Sequence, residues 1–167
     1  TAAAFAYGLE VKKRGLFLVY DLGGGTFDVS ILKLSDGVFK VIGSSGDTNL
    51  GGDDFDSLIA SNILKNFECS LTDLQVEERI RFIKKCKNFK ERLFKENSFD
   101  ESITVNGRTL VMTINLQLLY DSLNVLVEKT ISIVTKLINE CDIQISDIDG
   151  FILVGGSTRL KIIKKKN

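Results

Sequence analysis

A run of three glycines between two predicted strands limits how this chain can fold. Residues 16 to 20 form a short, continuous apolar run, which is typical of a buried strand. After Gly23, Gly24 and Gly25, apolar residues alternate with others from residue 27 to residue 32, which is the period of a second strand. Glycine favours tight turns because it lacks a Cβ atom. The sequence therefore predicts a β-hairpin whose turn is made by the three glycines.

Further segments have the pattern of β-strands. Residues 38 to 42 follow a polar turn and are expected to form a third strand of the same meander. Residues 103 to 113 are predicted to form a second hairpin that turns at Asn106 and Gly107. Residues 149 to 154 are mostly apolar and are predicted to form a buried strand.

Helical spacing of apolar residues predicts three helices, over residues 55 to 67, 82 to 93 and 116 to 138. The second is expected to begin before its most regular apolar spacing, with a cap at Thr72 and with Leu74 and Val76 in its first turns. A last helical stretch is expected after Ser157. The order of elements predicts an α/β fold with a mixed sheet and flanking helices, without an internal repeat.

The composition excludes several classes of function. No histidine occurs among the 167 residues, which excludes Ser/His/Asp and Cys/His catalysis and histidine-ligated zinc. The formal net charge is zero, so no overall charge attracts nucleic acid or anionic lipid. Three widely spaced cysteines favour reduced thiols and a cytoplasmic location. The apolar runs are too short for a signal peptide or a membrane span.

Charge is distributed unevenly along the chain. Residues 17 to 62 carry a net charge of −5 beside two of the glycine-rich stretches, which suggests that a metal ion or a metal-phosphate complex binds there. Residues 79 to 95 carry a net charge of +7 on a predicted helix. This basic segment is either a solvated helix face or a contact for a nucleotide or a partner.

The first glycine-rich stretch, Asp21-Leu-Gly-Gly-Gly-Thr-Phe-Asp28, combines anion-binding backbone with two carboxylates and a hydroxyl. It is not a P-loop, because no Gly-Lys-Ser/Thr follows it. It is not a dinucleotide fingerprint either, because Asp28 stands where the third glycine of that motif would be. A glycine-rich hairpin without function would not need the paired aspartates.

Two more glycine pairs follow along the chain. Gly51 and Gly52 precede a predicted helix, so they either hold a phosphate oxygen at its N-terminus or simply lead into a cap at Asp53 or Asp54. The stretch Gly155-Gly-Ser-Thr158 follows a predicted strand, at the place where open α/β sheets bind ligands. Taken alone, it is equally consistent with a tight turn.

Together, and in this order, the three stretches resemble the seventy-kilodalton heat-shock (DnaK-type) chaperones, which are members of the actin and sugar-kinase ATPase superfamily. The resemblance extends from Ala6-Tyr-Gly-Leu9 through Asp47-Thr-Asn-Leu-Gly-Gly-Asp-Asp-Phe-Asp56 to Leu153-Val-Gly-Gly-Ser-Thr-Arg159. It corresponds to the second lobe of the nucleotide-binding domain. Within the family, the chain is most similar to the HscA-type branch that serves iron-sulfur cluster assembly, because Leu34-Ser-Asp-Gly-Val-Phe-Lys-Val41 recurs there.

The resemblance implies a role for each matching residue. It assigns Asp21 to Mg²⁺ through water, Thr26 to the γ-phosphate, and Asp28 to the attacking or metal-bound water; these three are the catalytic candidates. It assigns the remaining candidates to ATP or ADP: the phosphate cradle Gly23, Gly24 and Gly25, the second turn at Gly52, the ribose contact Lys90, and the adenosine motif Gly155, Gly156, Ser157 and Arg159.

The departures from the family pattern lie on the adenosine side. Lys87 stands where many members have Glu, and Lys161 replaces a Pro; Glu91 and Phe94 replace residues that usually border the base. Cys86 lies where the resemblance places the base pocket, and it is either a core thiol or a pocket residue.

The resemblance also implies how the chain is divided into subdomains. Residues 1 to 52 and 119 to 167 are expected to form the sheet subdomain of a ribonuclease-H-like, actin-like ATPase lobe, and residues 53 to 118 an inserted α/β subdomain.

The chain starts without Met and is expected to be a piece of a longer protein. The expected partners are the first lobe, a J-domain co-chaperone and a client or scaffold protein. The parent is expected to be an ATPase, and the piece alone is expected to be inactive.

Three alternatives are less consistent with the sequence. A general DnaK-type folding chaperone shares the three motifs. A sugar or acetate kinase of the superfamily would match only at residues 21 to 28 and 153 to 159, and a filament-forming actin-like protein would be revealed by nucleotide-dependent sedimentation.

Overall fold

The computed structural model describes residues 14 to 160, which contain six strands and three α-helices. The strands are β1 (Arg14–Leu22), β2 (Phe27–Ser35), β3 (Val38–Asp47), β4 (Ser98–Val105), β5 (Arg108–Asn115) and β6 (Gly150–Val154). The helices are α1 (Gly52–Leu64), α2 (Val76–Arg92) and α3 (Leu116–Glu140). Short 3₁₀ turns lie at Lys65–Phe67, Leu71–Asp73, Ile145–Asp147 and Gly156–Arg159. The predicted α/β class is confirmed.

These residues divide into two compact units, which are described separately. One contains residues 14 to 52 and 127 to 159, and the other contains residues 53 to 126 and 160. The boundary between residues 126 and 127 falls within α3. The assignment of a sheet subdomain and an inserted subdomain stays a prediction.

The first unit is built on a four-stranded mixed sheet in the order β3-β2-β1-β6. β1 pairs with β2 and β2 with β3 in antiparallel register, whereas β6 lies parallel to β1. β1 is the inner strand between β2 and β6, and its residues 17 to 20 are all buried, as a continuous apolar run predicts. The hairpin predicted around the three glycines is confirmed.

A buried hydrogen-bond chain joins α3 to the sheet. The Tyr20 hydroxyl donates to Thr130 Oγ1 over 2.7 Å, and Thr130 Oγ1 donates to the carbonyl of Val127 over 2.7 Å. Burial raises the pKa of Tyr20, so the phenol stays protonated and acts as the donor. This pair fixes the turn of α3 at residues 127 to 130 against β1.

The second unit has its own core. Phe55, Ile59 and Ile63 bury one face of α1, and Phe82, Cys86 and Phe89 bury one face of α2. The hairpin β4–β5 contributes Phe99, Ile103, Val105 and Ile114. Asn106 and Gly107 make its turn with φ of 49° and 77°, values that suit Asn-Gly, so the predicted turn is confirmed.

Two local predictions are wrong. Thr72 does not cap a helix: it lies inside the 3₁₀ turn Leu71–Asp73, whose capping box is made by Ser70 and Asp73, and α2 begins at Val76. β6 is only partly buried, with Ile152 covered and Phe151 exposed, because it pairs with β1 on one side only among the described residues. The capping error arises because Ser70 and Asp73 form a local capping box before α2 begins, and the strand error arises because edge position depends on tertiary neighbours.

Two other predictions lie partly or wholly outside the described residues. The assignment of residues 1 to 13 to the sheet subdomain is one of them. Of the last helical stretch, the structure describes only the 3₁₀ turn Gly156–Arg159. Among residues 14 to 160, no helix is both long enough and apolar enough to span a membrane.

The buried Tyr20–Thr130 pair gives an asymmetric prediction for stability. Thr130→Val leaves the buried Tyr20 hydroxyl without its acceptor and should lower the free energy of unfolding by about 1 to 3 kcal/mol. Tyr20→Phe should cost only about 0.5 to 1.5 kcal/mol, because Thr130 keeps its bond to Val127. Urea denaturation should also show that the double variant loses less free energy of unfolding than the two single variants lose in sum. Equal and additive losses would contradict the hydrogen-bond chain.

Candidate functional site

The tip of the first hairpin is exposed main chain. Asp21 pairs with Asp28 and Leu22 with Phe27 at the ends of β1 and β2, and Gly23 N–H donates to the carbonyl of Thr26 over 3.0 Å. A Cβ atom built on Gly24 or Gly25 would meet no atom of residues 14 to 160 within 4 Å. The turn therefore presents its backbone to open space.

The second glycine stretch packs on this hairpin. Gly52 N–H donates to the carbonyl oxygen of Gly23 over 3.0 Å. A Cβ atom on Gly51 would lie 2.5 Å from the carbonyl oxygen of Gly24, so only glycine allows the approach. Asp53 and Asp54 lie in the first turn of α1, which begins at Gly52, where their negative charges interact favourably with the positive end of the helix dipole.

The third stretch meets the same place from β6. Gly155 has φ of +90°, and a Cβ atom there would lie 2.2 Å from the carbonyl oxygen of Leu22 and 2.9 Å from Asp21 Oδ1. The buried Ser157 hydroxyl donates to the carbonyl oxygen of Gly23 over 3.2 Å. Three stretches that are distant in the sequence thus converge on Gly23.

The pair Gly155 and Gly156 offers a matched test of this packing. Gly155→Ala combines a left-handed backbone with a collision against the main chain of β1, and it should lower the free energy of unfolding by about 1 to 3 kcal/mol. Gly156→Ala should stay within about 0.5 kcal/mol of the unsubstituted chain, since its Cβ atom would meet no described atom within 4 Å. Thermal unfolding measures both, and equal melting temperatures would contradict the close approach.

Two carboxylates and a hydroxyl line the hairpin ends. Partial burial, followed by the negative charge of Asp28, raises the pKa of Asp21. Thr26 Oγ1 donates to Asp28 Oδ2 over 3.3 Å. Two facing carboxylates with unfavourable mutual repulsion are a donor set that suits a divalent cation.

The donor set fits Mg²⁺ better than a metal that needs a full protein cage. Among residues 14 to 160, no group of three or more Asp, Glu or Cys side chains is arranged as a metal site. Mg²⁺ usually binds through one or two carboxylates together with water and substrate phosphates. Asp21 and Asp28 can supply the carboxylates.

Lys90 is placed differently from the other candidates. It belongs to the second unit, where its buried ammonium lies 2.6 Å from Asp56 Oδ1. Burial raises the pKa of Asp56, and Lys90 opposes that shift. The ion pair occupies a place in the core of that unit, so contact with a ribose stays a prediction.

The remaining candidates occupy the turn after β6. Gly156 and Arg159 are exposed, whereas Ser157 is buried against the hairpin. Two residues that build this site, Gly51 and Thr158, were not among the predicted site residues. Both were named only as members of their stretches, and the structure shows that the Thr158 hydroxyl donates to the carbonyl of Gly155 over 2.8 Å. The Gly51-Gly52 pair was a usable signal, whereas nothing in the sequence distinguished Thr158.

Cys86 is a core thiol. Its side chain is fully buried on α2, and burial raises its pKa to about 12. This supports the first of the two interpretations made from the sequence.

The mixed sheet, its glycine hairpin and the turn after β6 define a lobe of the actin-like ATPase class. A family model described as "Hsp70 protein" matches residues 1–166, and the chain belongs to the Hsp70 family.

The chain is similar to proteins of the HscA branch of that family. The chain is 40% identical over 166 residues to a protein named "Chaperone protein HscA homolog" from Janthinobacterium, and 36% identical over 166 residues to one from Shewanella frigidimarina. It is 39% identical over 163 residues to "Chaperone protein HscA" of Buchnera aphidicola. These matches cover 98% to 99% of the chain but only 26% of each relative. The chain therefore spans about a quarter of the length of these relatives.

Proposed function

We propose that this chain supplies one face of the ATP-binding cleft of an ATP-dependent chaperone of the HscA type. The observation that carries the proposal is the convergence of three glycine stretches on Gly23 beneath an exposed main-chain tip. Such a tip suits an anion, because backbone N–H groups can approach phosphate oxygens without steric hindrance. The HscA relatives support the choice of branch and, through it, a role in iron-sulfur protein maturation.

The proposed phosphate side is formed by the hairpin. Gly24 and Gly25 lie at its exposed tip, where they can cradle the β- and γ-phosphates, and Thr26 offers a hydroxyl to the γ-phosphate. Asp21 and Asp28 would hold Mg²⁺ through water and orient the attacking water. When bound, Mg²⁺ neutralises phosphate charge.

The proposed adenosine side is formed by the turn after β6. Gly156 leaves room for the nucleotide, and Arg159 can stack its planar guanidinium on the base. The buried Ser157 holds this turn against Gly23, so the two sides share one support.

One face of a cleft should bind nucleotide weakly and should not hydrolyse it. Phosphoryl transfer depends on positioning and charge neutralisation from all sides of the phosphate. The proposed partners therefore include a first lobe that closes the cleft. Through the complete protein, they also include a J-domain co-chaperone and a client or scaffold protein. The cytoplasmic location stays a prediction.

The open space at the tip gives the sharpest test of phosphate binding. Gly24→Ala and Gly25→Ala should leave thermal unfolding unchanged but weaken Mg-ADP binding about tenfold or more, because a methyl group would occupy the phosphate position. Amide chemical-shift titration of the chain suits weak binding. Gly156→Ala is the matched control for added volume. Because Gly156 is assigned to the adenosine side, this variant should bind pyrophosphate, which contains no adenosine, as the unsubstituted chain does. Unchanged Mg-ADP affinity in both tip variants would contradict the phosphate cradle.

A second test separates the proposed role of Thr26 from that of Asp21. The chain can replace the matching segment of the Janthinobacterium HscA homologue, which restores a complete cleft. In this chimera, Thr26→Ala should lower ATP hydrolysis about tenfold to hundredfold with ADP affinity nearly unchanged, because one contact to the γ-phosphate is lost. Asp21→Asn should lower both the rate and the Mg²⁺-dependent affinity.

The controls for this test are the isolated chain and apo stability. A phosphate-release assay should find no turnover by the chain alone, and turnover comparable to the chimera would contradict the one-face proposal. If Thr26→Ala lowers the melting temperature of the apo protein, its hydroxyl is a structural cap, and the catalytic role is wrong.

A further inference from the structure

The segment from Asp47 to Gly52 links β3 to α1 and carries the glycines that pack on the hairpin. Its far end is held by the bond from Gly52 N–H to the carbonyl of Gly23. Its near end is held by the Asp47 carboxylate, whose Oδ1 accepts the backbone N–H of Asn49 over 2.8 Å. The segment is therefore fixed at both ends.

The other oxygen of the same carboxylate reaches α3. Lys129 Nζ lies 2.6 Å from Asp47 Oδ2, and the exposed fraction of the carboxylate side chain is only 21%. The hydrogen bond from Lys129, together with the Asn49 N–H, lowers the pKa of Asp47. The carboxylate is thus charged and shared between its own turn and the helix.

Lys129 extends from a part of α3 that is itself fixed. The next residue, Thr130, accepts the buried hydrogen bond from Tyr20 of β1 and is fully buried. The backbone from which the half-exposed Lys129 side chain extends is therefore fixed to the sheet on which the hairpin lies. A lysine on a loosely held helix would not fix the segment in this way.

We propose that Lys129, acting through Asp47, is a positioning residue that holds the 47–52 segment so that Gly51 and Gly52 support the phosphate-binding hairpin. The inference rests on the proposed function, since the hairpin's ligand is taken to be a nucleotide. Lys129 lies outside the three glycine stretches, and no role was assigned to it from the sequence.

The structural part of the proposal is testable without nucleotide. Lys129→Met keeps the length of the side chain but removes the charge. Amide hydrogen exchange at Asn49 and Gly52 should become about twofold to fivefold faster, as expected for loss of a partly exposed ion pair. Exchange in the core of β1, at Leu18, should not change.

Lys136→Met is the matched control on the same helix, because it breaks only the exposed pair between Lys136 and Glu140, at 3.7 Å. It should leave exchange of the 47–52 segment unchanged. Lys129→Arg keeps the positive charge, so the amides of the 47–52 segment should exchange as slowly as in the unsubstituted chain. Asp47→Asn should reproduce the effect of Lys129→Met, and the double variant should show no further loss, because both changes break one interaction.

The functional part uses Mg-ADP as the probe on the same chain. Lys129→Met should weaken binding about twofold to fivefold, and 1 M salt should reduce the difference from the unsubstituted chain, because salt screens the ion pair. Lys129→Arg should bind as the unsubstituted chain does.

The possible outcomes are distinct. Unchanged exchange at Gly52 in Lys129→Met overturns the positioning role, as does faster exchange with unchanged Mg-ADP affinity. Faster exchange throughout β1 shows a general structural role and also overturns it. If the unsubstituted chain binds no Mg-ADP, the proposed function fails and the nucleotide role of Lys129 with it. In that case, the exchange data still decide whether Lys129 holds the segment.

Discussion

The carbonyl oxygen of Gly23 is the group on which the site depends. It accepts Gly52 N–H from the segment before α1 and the Ser157 hydroxyl from the turn after β6. A carbonyl oxygen has two lone pairs, and both are directed here to chain segments that are distant in sequence. The bonds join the hairpin turn to both neighbouring segments, so displacement of one segment would strain the other two.

This arrangement depends on small residues at close range. A Cβ atom at Gly51 would meet the carbonyl oxygen of Gly24, and one at Gly155 would meet that of Leu22. The cost of these glycines is conformational freedom in the unfolded chain. Buried contacts behind the sheet offset that cost, notably the Tyr20–Thr130 bond and the tilted packing of Tyr20 on Phe27, with ring centroids 4.6 Å apart. The open tip is therefore supported by a closed core.

Most of the fold could be predicted from the sequence, because local patterns determine it. The continuous run at β1, the alternation in β2 and the Asn106-Gly107 turn each have one dominant structural interpretation. The chain order of the three glycine stretches then predicted the family, which the family-model match over residues 1–166 confirms, whereas the ligand roles of the site residues stay a prediction. The helix start at Val76 was missed because Ser70 and Asp73 satisfy a capping box one turn earlier.

Contacts between distant side chains could not be predicted in the same way. Lys129 and Asp47 are ordinary charged residues in sequence, and only the packing of α3 on the sheet brings them together. Lys90 was noted for a nucleotide contact, yet its ammonium lies against Asp56 in the core of the second unit. Periodicity shows which face of a helix is buried but does not show which partner a buried charge will find.

The exposed tip made of Gly24 and Gly25 also decides which kind of mutational survey would reveal the site. Alanine scanning removes side-chain atoms at most positions, but at a glycine it adds a methyl group. Under the proposed function, Thr26→Ala and Asp28→Ala in such a scan would remove a hydroxyl and a carboxylate, whereas Gly24→Ala and Gly25→Ala would add a methyl group at the tip between β1 and β2. If the tip cradles phosphate as proposed, a single added methyl group is the harmful change, and substitutions in this turn are best interpreted by the volume they add.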